Sequence, residues 1–285
     1  MSYKKYEDFK FWFVYDGIDH WNVINFETQD IICDISNSGT IKESDMNISI
    51  FDHDYSQISE DFKEFKNRPE YFVGRECDIN GVSVEFAKDT YKNLLTGLIF
   101  IRAYKNGMNP DHHIDYVQRI LDWVESTDFY EAPASTIYHE SFLHGLLYHT
   151  LTVYNNMVQL YQIPKFFKKV DIDSTALCCL VHDWCKIGLY EPYKRNVKND
   201  KTGQWERVDA YRRRSFPHVF GHGATSMYMV MKLFKLTEEE ALGIRWHMGR
   251  WNVSENEVNE FQQACEQYPL VHLIQFADQL AITDY

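Results

Sequence analysis

Leu180-Val181-His182-Asp183-Trp184-Cys185-Lys186-Ile187-Gly188 places a histidine and an aspartate side by side at the end of an apolar run, with a lysine three residues after the aspartate. Adjacent His-Asp is a short pattern and frequent by chance. This copy is informative because further histidines and aspartates are spaced on both sides of it. On that spacing the pair reads as the middle of a metal site, and most of the C-terminal half reads as the frame that builds it.

Working outward, the run from about Ser174 to His182 predicts a helix with Asp173 as its N-cap. Upstream, Leu146, Leu147, Leu151, Val153, Met157 and Val158 suit a buried helix, which would carry His149 into the core. Downstream, Lys194-Arg195-Asn196-Val197-Lys198, a turn at Asp200–Gly203 and Trp205-Glu206-Arg207-Val208 predict a β-hairpin inserted among helices. Residues 191–218 hold eight Lys and Arg against four acids, in a chain whose net charge is -13. A solvated hairpin and an anion-attracting lip beside a phosphate site both fit that local excess. Then come Gly221-His222-Gly223, a helix start at Thr237 with Glu240 three residues on, Ile244-Arg245-Trp246-His247, and a last helix carrying Asp278. An aspartate in that apolar run is costly to bury without a cation.

The front of the chain has a different grain. Phe11–Tyr15, Trp21–Phe26 and Ile31–Ile35 predict strands, with a turn at Asn37-Ser38-Gly39, another strand near Ile48–Phe51 and a helix over 56–66. Tyr71–Val73 is a further strand candidate, and Asn80-Gly81 between Cys77-Asp78-Ile79 and Val82-Ser83-Val84 signals a hairpin turn. From about Ala87 the pattern turns helical, and Asn106-Gly107 and Pro110 break it. Residues 1–108 are therefore expected to form an N-terminal α+β module, and 109–285 a mostly α domain with the inserted hairpin. Asp52-His53-Asp54 and His112-His113 read as solvated polar residues.

With 285 residues, 45% apolar and 16% aromatic, the chain can bury a good core. The acidic balance disfavours a broad grip on long nucleic acid. No apolar run approaches the ~20 residues that cross a bilayer, and the first residues lack a signal-peptide core, so a cytoplasmic protein is the expectation. Homo-oligomerisation stays open. The cysteines Cys33, Cys77, Cys178, Cys179, Cys185 and Cys265 form no Cys-x-x-Cys pair and read as buried reduced thiols.

His139, His144, His149, His182, His218, His222 and His247 all fall between positions 139 and 247. Each alone could be a core or surface histidine, but burying so many with Asp183 and Asp278 and no shared purpose is expensive. Imidazole with carboxylate suits a divalent transition metal (Mn, Fe, Co, Ni or Zn, with Mg admissible). The order His149, His182-Asp183, His222, His247, Asp278 resembles the HD-domain metal-dependent phosphohydrolase superfamily. Ala132–Ser135 with His139, Gly145-Leu146-Leu147-Tyr148-His149, His182–Gly188, Gly221-His222-Gly223, Ile244–Gly249 and Phe276-Ala277-Asp278 are similar to motifs of bacterial and phage members, over about residues 115–285. Members often carry a second Gly where this chain has His144, and Glu-Lys where it has Ala224-Thr225.

The resemblance implies an HD-type helical bundle that hydrolyses a phosphoester or phosphoanhydride, above all of a nucleotide, using water activated by one or two metals. His149, His182, Asp183 and Asp278 would hold one ion, and Asp183 would bridge to a second held by His222 and His247. Lys186 would stabilise phosphate or transition-state charge, or pair with a ligand carboxylate. Arg245, Lys194 and Arg195 are candidate phosphate contacts. His139 and His144 would touch substrate or serve the structure. A 3′-5′ exonuclease or cyclic-nucleotide phosphodiesterase, and a non-catalytic HD-fold regulatory module, are the competing readings.

Overall fold

The computed structural model describes residues 11–15, 20–25, 31–36, 38–42, 55–67, 81–105, 113–161, 163, 169–199, 201–215 and 219–282. Strands β1 (Phe11–Tyr15), β2 (His20–Asn25), β3 (Ile31–Ser36) and β4 (Ile41–Lys42) form an antiparallel meander in sequence order. The turn expected at 37–39 joins β3 to β4, where the Gly39 N–H donates to the Ser36 carbonyl at 2.8 Å. Helix α1 (Tyr55–Asn67) packs against β1, and Val23, Cys33, Ile35, Ile58 and Phe62 are buried. The strands expected near Ile48–Phe51 and Tyr71–Val73 lie outside the described residues, as does Cys77-Asp78-Ile79.

The second arm of the expected hairpin is not a strand. Gly81 does take the positive φ of a turn, 68°, but Val84 opens helix α2 (Val84–Lys105). Ser83 Oγ accepts the Phe86 N–H at 3.2 Å, so Ser83 acts as a helix cap where β-branched neighbours suggested a strand. Asn-Gly marks a reversal of the chain, not the element that follows it.

The remaining helices are α3 (His113–Glu125), α4 (Gly145–Tyr161), α5 (Ile172–Val181), α6 (His222–Met231), α7 (Glu238–Trp246), α8 (Val258–Gln267) and α9 (Pro269–Ala281). The inserted hairpin is β5 (Tyr190–Lys198) with β6 (Trp205–Arg213), longer than its sequence signal. The described chain is thus mostly helical. One apolar core joins Leu147 and Leu151 of α4, Leu177 and Leu180 of α5, and Leu273 and Ile274 of α9. Helix α4 packs on α5 and α9, and α6 packs on α7. No helix among the described residues is long and apolar enough to cross a membrane.

Helix α2 precedes residue 108, and its Tyr91, Leu94, Leu95, Leu98 and Ile99 belong to this same core. It also pins the end of α5. The Tyr91 hydroxyl donates to the Leu180 carbonyl at 3.1 Å and accepts the Trp184 indole N–H at 3.2 Å, so it grips the residues on either side of His182-Asp183. Further along α2, Arg102 pairs with both oxygens of the fully buried Glu240. Glu240 also completes the capping box with Thr237 that starts α7. Helix α5 is capped by Asp171, whose Oδ1 accepts the Asp173 N–H at 2.8 Å. Asp173 is therefore not the cap but a first-turn carboxylate, paired with Lys105.

Candidate metal centre

The quoted stretch works by ending a helix. Val181 is the last residue of α5 and His182 its C-cap; Asp183 leaves helical geometry at φ -105°, ψ 18° and leads into a 3-10 turn, Trp184–Lys186. Carbonyls in a helix's last turn lack an intrahelical donor. His182 uses one: its Nδ1 donates to the Cys179 carbonyl at 2.8 Å. His247, the C-cap of α7, repeats the device on the Ile244 carbonyl at 2.7 Å. Each ring is thereby held in the tautomer that presents Nε2 to the interior. His222 begins α6, whose Ser226 Oγ accepts the Cys185 N–H at 3.0 Å and so ties that helix to the 3-10 turn. His149 and Asp278 come from the second turn of α4 and the late part of α9, held together by the Asn156 side-chain N–H on the Ala277 carbonyl at 3.0 Å.

All six expected ligand positions converge. Asp183 divides its carboxylate between two sets of partners. Its Oδ2 lies 3.4 Å from His149 Nε2 and 3.3 Å from His182 Nε2. Its Oδ1 lies 2.8 Å from His222 Nε2 and 3.6 Å from His247 Nε2. Asp278 Oδ1 closes the first set, 3.1 Å from His149 Nε2 and 3.8 Å from His182 Nε2. His149, His182 and His247 are wholly buried, and Asp183 and Asp278 nearly so. His149-His182-Asp183 and Asp183-His222-His247 each bring donor atoms within 4.8 Å of one another, as a metal ion requires.

The donor set fits a divalent ion. His182 Nε2 and His247 Nε2 are buried and in no hydrogen bond, although carboxylate oxygens lie nearby. A buried polar atom in that condition is expensive unless something else coordinates it. Imidazole nitrogens mixed with carboxylate oxygens suit a transition metal. Both carboxylates stay deprotonated, as metal ligands must be. Burial alone would raise the Asp183 carboxyl, but the Lys186 ammonium, His182 and a hydrogen bond from His149 hold it well below the usual carboxylate range. Asp278 is buried too, yet the hydrogen bond from His149 and the charges of His182 and His149 hold it down. Burial works against charge on His149, but its hydrogen bonds to Asp183 and Asp278 raise that imidazole to about 9. The centre thus keeps two anions and gathers positive charge around them.

Of the other sequence candidates, Lys186 is buried with Nζ 2.6 Å from Asp183 Oδ2. His139 stands over His149, with ring centroids 4.8 Å apart, and burial lowers it to about 4, so it is neutral at pH 7. His144 turns elsewhere: at φ 72°, its Nδ1 donates to the Tyr130 carbonyl at 2.6 Å. Lys194 pairs with Asp209 across the hairpin, and Arg195 is exposed beside it. Arg245 donates to Glu257 at 2.9 Å and lies over the Trp246 ring. None of these last four joins the His/Asp cluster. His218 and Asp52-His53-Asp54 lie outside the described residues.

Three residues escaped sequence reasoning. Glu140 forms a third donor group with His139 and His149, its Oε2 3.7 Å from His149 Nδ1. Tyr190 and Arg213 pair at the base of the hairpin. There Tyr190 feels the charges of Lys186, Asp183 and Arg213. Lys194 and Arg195 sit four and five residues farther out along β5, at about 3.3 Å per residue. The register of the hairpin, which local composition does not reveal, sets Arg213 closer to the centre than Lys194 and Arg195. The Glu140 signal was its neighbour His139, already singled out.

The helices and the cluster define a helical domain built around a metal-binding set of His and Asp. Residues 146–283 match the family model of the HD domain, and this stretch of the chain is an HD domain. No curated protein and no solved structure matches the chain. The HD domain with its His/Asp cluster supports a divalent-metal-dependent hydrolase.

Proposed function

We propose that the chain hydrolyses a phosphoester or phosphoanhydride bond in a small substrate, above all a nucleotide, with two metal ions. The observation that carries the reading is the division of Asp183, one oxygen facing His149 and His182 and the other facing His222 and His247. A carboxylate shared in this way suits a bridge between two ions. His149, His182, Asp183 and Asp278 would hold one ion, and Asp183, His222 and His247 the other. Ions there supply Lewis-acid polarisation of a phosphoryl oxygen and lower the pKa of bound water.

The chain's own residues do the rest. The carbonyls of Cys179 and Ile244 keep His182 and His247 aimed inward. Lys186 holds Asp183 in place and puts a buried positive charge beside the reacting phosphate. Arg213, at the hairpin base, draws the anionic group toward the centre. His139, neutral at pH 7, borders the site as a hydrogen-bonding partner for substrate.

The test is a screen of nucleoside mono-, di-, tri- and cyclic phosphates with Mn, Co, Ni and Mg, following phosphate release and, for cyclic substrates, the opened product. Hydrolysis that needs an added ion is expected. No turnover with any pair, by protein that carries metal, overturns the reading.

A further inference from the structure

A large cavity adjoins the metal centre without including any of the six ligand positions. Its volume is about 1320 Å³, more than the roughly 300–1,000 Å³ of a typical small-molecule site. Its inner wall is His139 and Glu140, which form a donor group with His149, and Met248, the residue after His247. The cavity therefore begins where the centre ends, and a substrate bound to the ions by its phosphate has this space for its remainder.

The lining defines what that remainder is. Tyr138, Phe142, Tyr148 and Trp251 supply four aromatic side chains. Trp251 and Tyr138 are each 85% exposed, in a molecule that buries Trp184, Tyr91 and Tyr154 completely. No Lys or Arg lines the cavity among the described residues, so it offers a phosphate no permanent positive charge. Its carboxylate, Glu140, accepts hydrogen bonds only. Faces for stacking with an acceptor beside them match a planar ring that carries N–H donors, as the amino and imino edges of nucleobases do.

The walls are firmly held. The Glu140 carbonyl accepts the Ala134 N–H at 3.1 Å, and the backbone of Gly145 packs so closely on it that a Cβ would lie 2.0 Å from the oxygen. The Tyr148 hydroxyl donates to the Val82 carbonyl at 3.2 Å, which fixes the turn before α2 as another wall. We infer that this cavity is a base-binding subsite, in which the nucleobase of the substrate stacks on Trp251 and Tyr138 and donates a hydrogen bond to Glu140. The inference rests on the nucleotide reading above, and it gives the segment ahead of α2 a part in substrate selection.

The experiment uses the full chain loaded with manganese and measures binding of adenosine, guanosine, cytidine and uridine, which carry no phosphate, by calorimetry. Wild type should bind at least one of them. Trp251→Ala or Tyr138→Ala should weaken that binding about tenfold, the scale of one lost base-aromatic stack. Manganese content and melting temperature should stay as in wild type. The subsite is overturned if no nucleoside binds, if neither variant weakens binding, or if an alkyl phosphate binds more tightly as its chain lengthens. Nucleoside binding that behaves as expected, with no phosphate released from any nucleotide, would instead sink the hydrolase reading and leave the subsite standing.

Discussion

Asp183 faces four imidazoles with two oxygens, so its loss should be felt by both halves of the centre. Asp183→Ala is expected to abolish hydrolysis and strip most of the metal. His222→Ala should remove only the ion on the Oδ1 side. Metal analysis of the purified variants separates these outcomes, and equal losses in both would contradict the division of labour. Lys186→Met should retain metal yet lower kcat about a hundredfold, the size of one missing transition-state charge partner; an unchanged kcat would leave Lys186 only as a brace for Asp183. At this scale the sequence pointed to the six residues that meet in the cluster, through the order of motifs that resembles the HD superfamily. It was not legible for partners made by folding. His144, from the same dense stretch as His149, turns to the Tyr130 carbonyl, and Glu140 acquires its neighbours only through the bend at positions 140 and 144.

Two helices meet at Gly223 because that residue has no side chain. A Cβ there would stand 2.0 Å from the Arg245 carbonyl oxygen, so α6 and α7 touch backbone to backbone just where His222 and His247 emerge. Gly223→Ala should push the helices apart, costing about 1–3 kcal/mol by overpacking. It should also lower metal content on the His222 side before it unfolds the chain. Denaturant midpoints paired with metal analysis test this, and wild-type values for both would show that the contact yields easily. Element existence was largely readable, from the meander strands to the inserted hairpin and the Thr237 capping box. Element starts were less so. Asp171 and Asp173 are both plausible caps by composition, and only the backbone path selects Asp171.

For the molecule as a whole, α2 is the informative piece. Five of its large side chains, Tyr91, Leu94, Leu95, Leu98 and Ile99, enter the core of the helical domain. At roughly 1.5–3 kcal/mol for each buried large side chain, their removal rivals the entire 5–15 kcal/mol that holds a domain folded. A chain starting at residue 109 is therefore expected not to fold, whereas one starting at residue 81 keeps α2 and should. Circular dichroism melts of the two fragments decide it. The composition break at Asn106-Gly107 and Pro110 marks the end of a helix, and sequence pattern alone does not reveal which core that helix joins. Metal should stabilise the whole fold as well, since the centre draws on α4, α5, α6, α9 and the end of α7. Saturating manganese at about a hundred times its Kd adds roughly 2.7 kcal/mol, and chelation should lower the melting temperature accordingly. Identical melts with and without chelator would place the ions outside this cluster.

The bonds from His182 to Cys179 O and from His247 to Ile244 O have a consequence for how the centre tolerates change. In each case the group that orients the ring is main chain, three residues back in the same helix. No substitution at Cys179 or Ile244 can delete that acceptor, because every amino acid brings the same carbonyl. Two ligands of the centre are thus insured against drift in their own surroundings so long as their helices form. His149 has no such insurance. The flank of its ring is occupied by the side chains of His139 and Glu140, which mutation can remove. Variation that accumulates around this site should therefore reach the geometry of His149 first, while the pair at the helix ends keeps its aim.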